Sequence, residues 1–462
     1  MKKICIVGGG ISGLLTAYLL KKKNSLNEVY LIEKENEFGG LLRSFDYGSE
    51  IGLFDYGIHT IYETGIDDLD HLMRSFLPNE EWIQLKGKKR DFGGTYFNNV
   101  LQVNSSYIDL RNYPKNDIDA FIESYLNNLN NQKTIKASNA KEYLESKYGK
   151  LITEKVFEKI IGKLYNFSLE ETHTFFSKLL PLERIVLFGE DTMAEISNSS
   201  TIRDSIAFPD QLKMPDKFVA SKSAWYPKEY GMKNYIEGFI SKLEEMGVKL
   251  LSSHQINSIE KQSNLKALIE IKNEKNIYNL KDVDKVIWTS GIVSSFFSLL
   301  KKPSIKTEFD KPVKTCFVNF ILKEKPKVNG MFYVYCLEPG FITHRLSCPS
   351  NFCPSSINKG QHKLTAEVIF KDNLTEIEII EKVIFELEKM GVTLESEILF
   401  KDVQKVAGGY PTISKKNVSA IELMKNEINN EFGDLLDLYG YMSKPNLFFQ
   451  IDIIREIYND FK

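Results

Sequence analysis

The feature that most constrains the fold is a glycine-rich turn close to the N-terminus, which lies between two short apolar segments. Residues 3–7, KICIV, lead directly into Gly8-Gly9-Gly10-Ile11-Ser12-Gly13, a match to the pattern GxGxxG. The following SGLLTAYLLKK repeats apolar side chains at helical spacing, and a second apolar run, EVYLIE, ends at Glu33. A buried strand, a tight turn, a helix and a second strand in this order predict a βαβ unit that binds a dinucleotide.

Three glycines of the turn are each required for a different physical reason. Gly8 allows the sharp turn after the strand, Gly10 lets the backbone approach a pyrophosphate, and Gly13 lets the helix pack closely on the sheet. The helix begins at Ile11 and Ser12, where free N–H groups and the positive end of the helix dipole face the pyrophosphate. We therefore assign these five residues to a cofactor site.

An acid at the end of the second strand extends this site. Glu33 follows Gly13 by 20 residues, the place where a carboxylate accepts hydrogen bonds from an adenosine ribose. Because a carboxylate repels a 2′-phosphate, NADP is disfavoured here. We include the neighbouring Lys34 in the cofactor site.

The next segment distinguishes FAD from NAD. After Glu33 the chain continues EKENEFGGLLRSF, which contains Gly39, Gly40, Leu42 and Arg43. Here it resembles the flavin-dependent amine oxidase superfamily, which includes protoporphyrinogen oxidase, monoamine oxidases, phytoene desaturases and UDP-galactopyranose mutase. The resemblance implies FAD, with these four residues extending the site toward the flavin. Glycines permit close backbone approach and an arginine neutralises phosphate charge, although Arg43 could instead be a surface arginine.

A second segment resembles the family stretch Gly-x-His that passes under the flavin ring. In FDYGIHTIY, residues 54–62, the resemblance implies that Gly57, Ile58 and His59 lie near the isoalloxazine. The alternative for His59 is an ordinary buried histidine of the core.

Two further stretches are similar to the family. Residues 224–260 resemble its return to the FAD domain, with VKLL and QINSIE as a strand pair and with Gln255 and Ile256 bounding the adenine pocket. DKVIWTSG resembles a strand that runs under the cofactor, and its Ser290 and Gly291 would have to be small for the backbone to come close.

The C-terminal part shows both a match and a departure. Tyr410 lies in GGYPTIS, similar to a family segment near the active site. Gly440 aligns with the first glycine of a turn against the flavin pyrimidine, and Asp452 with an acid near the start of the last helix. Tyr441 stands where the family has arginine, which leaves the donors to the flavin in doubt. No cysteine lies in this region, so the FAD is expected to be non-covalent.

The remaining chain predicts a second domain. Residues 140–190 are rich in helix signals, and TCFVNFIL, GMFYVYCL, FITHRLS and KLTAEVIF read as strands of an antiparallel sheet. The predicted fold class is α/β: a Rossmann-like FAD-binding domain of the GR2-type flavoproteins, interleaved with an α+β substrate domain of antiparallel sheet and helical cap. The predicted boundaries are 1–95, 222–300 and 402–462 for the FAD domain, and 96–221 and 301–401 for the substrate domain.

Two arginines of the predicted substrate domain are candidates for gripping a substrate phosphate, as in the nucleotide-sugar mutases. They are Arg345, in FITHRLS, and Arg184, after KLLPLE; for each the alternative is a structural or surface arginine. His59, Arg345 and Tyr410 are the candidate catalytic residues.

Three functions follow from the resemblance. The first is an FAD-dependent oxidoreductase of the amine oxidase or protoporphyrinogen oxidase type, in which a small-molecule substrate gives a hydride to flavin N5. The second is an isomerase similar to UDP-galactopyranose mutase that acts on a nucleotide sugar, and the third is a flavin-binding protein without turnover. The sequence leaves the substrate, the electron acceptor and the oligomeric state open.

Composition excludes several other classes. The 462 residues are enough for two domains or three, and a net charge of −2 argues against a nucleic-acid binder. No apolar run approaches the length of a transmembrane helix, and the N-terminal run is too short for a signal peptide, so we expect a cytoplasmic protein. Five scattered cysteines and six histidines without ligand spacing predict neither a disulfide framework nor a metal site.

Overall fold

The computed structural model describes residues 1–130, 137–179, 182–262, 265–300, 308–371, 373–406, 409–444 and 447–462. Its strands are β1 (Lys3–Val7), β2 (Glu28–Ile32), β3 (Ser44–Asp46), β4 (Leu53–Asp55), β5 (Ile61–Tyr62), β6 (Trp82–Leu85), β7 (Gly93–Phe97), β8 (Val100–Gln102), β9 (Ile108–Asp109), β10 (Ile185–Val186), β11 (Ala224–Pro227), β12 (Lys249–Leu251), β13 (Gln255–Lys261), β14 (Ala267–Lys272), β15 (Ile277–Val283), β16 (Lys285–Trp288), β17 (Lys314–Leu322), β18 (Tyr333–Cys336), β19 (Thr343–Ser347), β20 (His362–Phe370), β21 (Ile398–Lys405) and β22 (Leu436–Leu438). Its helices are α1 (Ile11–Lys23), α2 (Gly48–Ile51), α3 (Asp67–Arg74), α4 (Lys115–Asn130), α5 (Ala140–Tyr148), α6 (Lys150–Ile152), α7 (Glu158–Leu164), α8 (Phe176–Leu179), α9 (Glu190–Ile196), α10 (Ser200–Arg203), α11 (Met232–Glu245), α12 (Ile292–Leu299), α13 (Glu376–Lys389), α14 (Lys415–Phe432) and α15 (Gln450–Phe461).

A parallel sheet with the strand order β12–β2–β1–β16–β22 forms the first domain. Its central strands are apolar almost throughout and buried, because helices cover the faces of a parallel sheet. Helix α1 packs against α11 and α15. The predicted βαβ unit and Rossmann-like fold are thereby confirmed, and the strands of this sheet come from three separate stretches of the chain.

A seven-stranded sheet forms the core of the second part, in the order β21–β17–β20–β19–β18–β7–β8. The four strands predicted from the sequence are β17, β18, β19 and β20, and they pair antiparallel as expected. Strand β7 pairs parallel to β18, so the sheet is mixed rather than wholly antiparallel. The domain boundaries given above remain a prediction.

One predicted strand pair is wrong. VKLL and QINSIE do not pair with each other: β12 extends the parallel sheet beside β2, whereas β13 begins a separate antiparallel sheet with β14 and β15. The physical reason is a turn between them. Ser253 has a φ of +56°, and its N–H donates to the Glu35 carbonyl, which redirects the chain.

Helices α4 to α7 form a cap whose buried side chains, including Tyr148 and Phe157 stacked at 5.2 Å, belong to an apolar cluster shared with the parallel sheet. Helix α5 ends at Tyr148 because the next residue, Gly149, has a φ of +87°. The chain following the cap is bonded to residues 410–415, since the His173 N–H donates to the Ile413 carbonyl at 2.9 Å. The Tyr165 hydroxyl of the cap donates to the Pro411 carbonyl at 2.8 Å, so the cap is fixed to the segment that carries Tyr410.

The apolar stretch that begins at Ile292 forms α12, in which Ile292, Phe296 and Leu299 are buried and Phe297 is 60% exposed. These three side chains therefore pack inside the protein, whereas Phe297 faces solvent. Among the described residues, we find no helix with the length and apolarity that a membrane crossing requires.

Candidate functional site

Three turns meet at the carboxyl edge of the parallel sheet. Strands β1, β16 and β22 run in the same direction, so the turns that follow them lie at one edge. A Cβ built on Gly8, whose φ is +110°, would lie 2.7 Å from Thr289 Oγ1. A Cβ on Gly440 would lie 1.9 Å from the Ser290 carbonyl oxygen and 3.3 Å from Gly291 Cα. The structure thus brings these predicted residues together where open α/β sheets bind ligands.

The space around Gly10 fits a pyrophosphate. The backbone at Gly10 is extended (φ −73°, ψ 178°), which any residue adopts, and its Cβ would meet nothing closer than Gly40 Cα at 3.8 Å. The Gly39 N–H donates to the Gly9 carbonyl at 2.8 Å, which brings the second glycine pair against the first turn. No contact within the described residues requires a glycine at position 10. A side chain there would fill an open cradle formed by backbone, as expected if a ligand lies in it.

Gly13 differs from Gly10 because the protein itself needs it. A Cβ on Gly13 would lie 1.9 Å from the Gly8 carbonyl oxygen, so close packing of α1 on the sheet excludes any side chain. Ile11 is buried in the core, and no side chain caps α1 at Gly10. The first N–H groups of α1, including that of Ser12, are left at the cradle.

Glu33 lies directly beside the glycine turn. Its Oε2 accepts the Gly9 N–H at 2.6 Å and its Oε1 accepts the Glu35 N–H at 2.9 Å. Each carboxylate oxygen can accept a further hydrogen bond, so ribose hydroxyls could still bind there. Lys34 is 63% exposed at its side chain and lies 3.5 Å from Glu35.

The predicted adenine side is assembled next to Glu33. The Glu33 N–H donates to the Leu251 carbonyl, and the His254 N–H donates to the Glu33 carbonyl, both at 2.9 Å. Gln255 is exposed and Ile256 is buried. His254, which sequence reasoning missed, contacts Glu33 directly.

Arg43 connects the Gly39–Gly40 pair with residues 54–62, which we call the Gly57 segment. Its Nε donates to the Gly40 carbonyl at 3.1 Å, and its guanidinium stands 5.2 Å from the centre of the Tyr56 ring. With 18% of its side chain exposed, Arg43 is anchored rather than free on the surface. Leu42 is buried and contributes to the core. We refer to the surface formed by residues 8–13, 33 and 39–43 as the nucleotide groove.

The Gly57 segment ends against an ion pair of the second sheet. Gly57 has a φ of +81°, and a Cβ there would lie 2.1 Å from Glu367 Oε1 and 3.3 Å from Arg345 Nη2. Arg345 Nε donates to Glu367 Oε1 at 2.7 Å. Although burial opposes the charge of Arg345, the Glu367 carboxylate raises the pKa of that guanidinium above its usual value.

The three candidate catalytic residues converge at this ion pair. Burial and then the charge of Arg345 lower the pKa of His59 to about 4. Burial raises the pKa of Tyr410 well above its usual value, and Arg345 acts on the Tyr410 hydroxyl in the opposite direction. The ring of His344 lies edge-on to Tyr410 at 5.0 Å. His59 is therefore neutral and Tyr410 protonated at neutral pH.

Arginines stacked on tyrosines extend from this point toward the cap. Arg345 stands 5.7 Å from the ring centre of Tyr335, Arg90 5.7 Å from that of Tyr62, and Arg184 4.8 Å from that of Tyr107. Burial raises the pKa of Asp91, whereas the Tyr333 hydroxyl, the charge of Arg90 and the Tyr62 hydroxyl lower it. We call this set the arginine–tyrosine cluster: Tyr62, Arg90, Asp91, Tyr107, Arg184, Tyr333, Tyr335, Arg345 and Glu367.

Most of this cluster was missed by sequence reasoning. Tyr335, Arg345 and Glu367 become neighbours only through strand register, since Arg345 is the cross-strand partner of both of the others. No motif links Asp91 or Arg90 to them. The signal that could have helped is a charged residue inside a predicted strand: Arg345 lies in THRLS, and Glu367 lies between Ala366 and Val368.

The C-terminal turn contains an unpartnered group. The Tyr441 hydroxyl is buried and has no hydrogen-bond partner among the described residues, although its ring lies 5.9 Å from Phe448. An unpaired buried hydroxyl is costly unless a ligand or water completes it. Asp452 lies at the start of α15 as predicted, and its carboxylate accepts the Phe449 N–H at 3.3 Å, which caps the helix.

His59 provides a direct test of this geometry. With a pKa of about 4, its imidazole should not titrate between pH 8 and pH 5.5 in an NMR experiment on histidine-labelled protein, and Asn substitution identifies its signal. Because the unfolded imidazole titrates near 6.5, protonation favours the unfolded state as the pH falls from about 7 to 4. This one group should cost up to about 3 kcal/mol of stability over that range. A midpoint near 6.5 in the folded protein would contradict the burial beside Arg345.

Comparison with known proteins agrees with this architecture. Residues 6–76 match the family described as NAD(P)-binding Rossmann-like domain. No curated protein sequence matches the chain significantly. The family match covers the glycine turn, Glu33 and the Gly39–Arg43 segment, and it indicates a nucleotide cofactor.

Solved structures resemble the chain over nearly its whole length. Reduced UDP-galactopyranose mutase has a TM-score of 0.70 at 16% identity, with 94% of this chain and 87% of that one covered. A candidate protoporphyrinogen oxidase from Exiguobacterium sp. 255-15 has a TM-score of 0.70 at 15% identity, covering 100% and 98%. A putrescine oxidase redesigned in cofactor binding has a TM-score of 0.59 at 11% identity, covering 100% and 98%. At these identities the likeness shows a common fold, which agrees with the Rossmann match and with the fold predicted from the motifs.

Proposed function

We propose that the chain is an FAD-dependent oxidoreductase of the amine oxidase or protoporphyrinogen oxidase type, acting on a small molecule. The observation that carries the proposal is a continuous path of contacts. Glu33 contacts Gly9, the Gly39–Gly40 pair lies on Gly9 and Gly10, and Arg43 contacts Gly40 and Tyr56, which precedes Gly57. This path runs from Glu33, an acid placed to bind a ribose, to a buried cluster of polar side chains. It suits an elongated dinucleotide whose reactive ring lies at that cluster.

Bound FAD would supply the redox chemistry, because its flavin N5 accepts a hydride and the ring is later reoxidised by O2 or another acceptor. The residues of the chain would bind and orient the cofactor. The Gly10 cradle and the start of α1 would bind the pyrophosphate, Glu33 would accept from the ribose, and Arg43 would offset phosphate charge. Neutral His59 and protonated Tyr410 would offer hydrogen bonds without adding charge.

The charge of the arginine–tyrosine cluster bears on the substrate. It holds three guanidiniums, of Arg90, Arg184 and Arg345, against two carboxylates, of Asp91 and Glu367. An excess of positive charge disfavours an ammonium substrate and suits one with a carboxylate or phosphate. Among the described contacts of Arg184 we find no carboxylate, whereas Arg345 is paired with Glu367.

This charge balance also favours one second candidate, an isomerase similar to UDP-galactopyranose mutase that acts on a nucleotide sugar. Arg184 could contact a diphosphate in that case. Two observations weigh against it: Glu367 neutralises Arg345, and Tyr441 stands where the resemblance places an arginine.

The first experiment tests the cofactor. Purified protein should show the visible absorption of oxidised flavin, and acid should release FAD rather than FMN, identified by chromatography. Non-covalent binding predicts that no flavin stays with the precipitated chain. A colourless protein that cannot be reconstituted with FAD would refute the proposal.

The second experiment separates the two functions. Nucleotide sugars, amines and porphyrinogens are mixed anaerobically with the oxidised protein, and bleaching of the flavin is followed. Bleaching by an amine or a porphyrinogen supports the oxidoreductase. Interconversion of a nucleotide sugar by the dithionite-reduced protein, with no net bleaching, supports the isomerase.

Arg184 gives a test of substrate charge. Replacing Arg184 by glutamine should raise the KM of an anionic substrate about tenfold to a hundredfold, because a charge-assisted contact is lost. The matched control is Arg203→Gln, an arginine whose Nη1 bonds the Ser197 and Asn198 carbonyls away from the cluster. An unchanged KM in the Arg184 variant would remove this residue from the substrate site.

A further inference from the structure

The row Tyr335, Arg345 and Glu367 crosses three neighbouring strands of the seven-stranded sheet. Tyr335 of β18 pairs with Arg345 of β19, and Arg345 pairs with Glu367 of β20, so the three side chains share one face. The Glu367 side chain is 12% exposed and that of Arg345 is 19% exposed. Glu367 is therefore a mostly buried carboxylate whose direct charged partner is Arg345.

Glu367 also packs against the backbone of the Gly57 segment. Its Oε1 occupies the place that a Cβ on Gly57 would take, so that the carboxylate rests on the backbone itself. Four residues earlier in β20, the Lys363 Nζ donates to the Ile51 carbonyl at 2.5 Å, and a Cβ on Gly52 would lie 3.4 Å from that Nζ. Strand β20 thus holds the segment 51–57 at two points.

The Arg345–Glu367 ion pair sets the net charge that lies beside the Gly57 segment. Arg345 acts electrostatically on His59, Tyr410 and Asp91 as well as on Glu367. Of these four groups, Glu367 is the one that forms a salt bridge with Arg345 within the described residues. Removing one partner of a buried pair leaves the other charge uncompensated.

We propose that Glu367 is a positioning residue for the bound flavin: it fixes the Gly57–His59 backbone and masks the charge of Arg345, and thereby lowers the reduction potential of the cofactor. The inference rests on the proposed function, because it requires FAD at the Gly57 segment. Reduction adds negative charge to the flavin, and an unmasked guanidinium nearby would favour the reduced form. The carboxylate therefore favours the oxidised resting cofactor.

The test is the potential of the reconstituted holoprotein, measured against a reference dye during slow enzymatic reduction. Glu367→Gln should raise the ratio of reduced to oxidised flavin at a given dye potential by about tenfold, as for one unit charge uncovered within a partly buried site. The double variant Arg345→Gln/Glu367→Gln removes both charges and should return the ratio toward the wild-type value. A structural role alone would not produce this reversal.

The matched control is Glu386→Gln. Glu386 is also a buried carboxylate beside β19, but it accepts the backbone N–H groups of Ile342 and Thr343 at 2.6 and 2.8 Å and does not touch Gly57. Its substitution should lower the melting temperature without changing the potential. An equal change of potential in this control, or none in Glu367→Gln, would overturn the inference.

A shorter acid separates the two parts of the role and serves if Glu367→Gln does not fold. Glu367→Asp keeps the charge but withdraws the carboxylate from Gly57, so FAD should bind more weakly at a nearly unchanged potential. Unchanged affinity in this variant would overturn the positioning role at Gly57. Failure of the wild-type protein to bind FAD at all would instead refute the proposed function.

Discussion

Replacement of Gly10 by valine is expected to abolish FAD binding while the apoprotein stays folded and loses only the stability that valine costs at a helix N-cap. The backbone at Gly10 has ordinary extended angles, and the nearest atom to a new Cβ is 3.8 Å away, so a Cβ at this position makes only ordinary van der Waals contact. The branched side chain would instead occupy the cradle in which we place the pyrophosphate. We expect a loss of about 3 kcal/mol or more in binding, which is more than about a hundredfold in Kd.

The measurement is FAD titration by fluorescence, together with thermal unfolding of the apoprotein. Gly189→Val is the matched control, because Gly189 is also an N-cap glycine with φ −70° and ψ 172° and has no atom near its Cβ position. Any effect of valine on helix capping is shared by both variants, so only the loss of FAD should separate them. Wild-type affinity in Gly10→Val would place the cofactor elsewhere.

Replacement of Gly13 by alanine should have the opposite outcome, a large loss of stability in the absence of any ligand. Its Cβ would lie 1.9 Å from the Gly8 carbonyl oxygen and 3.1 Å from Leu31 Cδ1. The side chain of Leu31 can rotate away but the backbone oxygen cannot, so α1 must move off the sheet. We expect a loss of about 3 kcal/mol, at the upper end of what overpacking costs.

Thermal unfolding of the apoprotein measures this loss. Two other alanine variants serve as controls, one without and one with a comparable clash. Gly10→Ala lies in the same turn but meets no close atom, and it should unfold like the wild type. Gly238→Ala lies on α11, where a Cβ would come within 2.0 Å of the Phe76 carbonyl oxygen, and it should be destabilised to a similar degree. Gly13→Ala as stable as Gly10→Ala would show that α1 is not packed as described.

The two results would separate two functions that the motif GxGxxG combines. The sequence pattern assigns Gly10 to ligand approach and Gly13 to helix packing, and the structure provides a contact distance for each. Stability of the apoprotein and affinity for FAD are independent measurements, so a destabilised fold cannot be mistaken for a lost site.

Local patterns carried the prediction of the Rossmann-like domain. Strand β1, helix α1 and strand β2 are contiguous in the chain, and their periodicity and turn chemistry are readable residue by residue. Glu33 follows directly from the end of that unit, whereas the Gly39–Arg43 segment was assigned from its resemblance to a family; both contact the glycine turn in the structure. Where a turn redirected the chain, at Ser253, the sequence led to a strand pair that does not exist.

Sequence alone thus determined the dinucleotide fold, the kind of cofactor that we propose and the identity of most groove residues. Tertiary structure decided the other side of the site. Glu367 reaches Arg345 across a sheet pairing and Gly57 from 310 residues away in the chain, and the arginine–tyrosine cluster is assembled from strands and loops with no shared motif. The physical reason is that a βαβ unit folds from neighbouring residues, whereas the register of distant strands depends on how the whole chain packs.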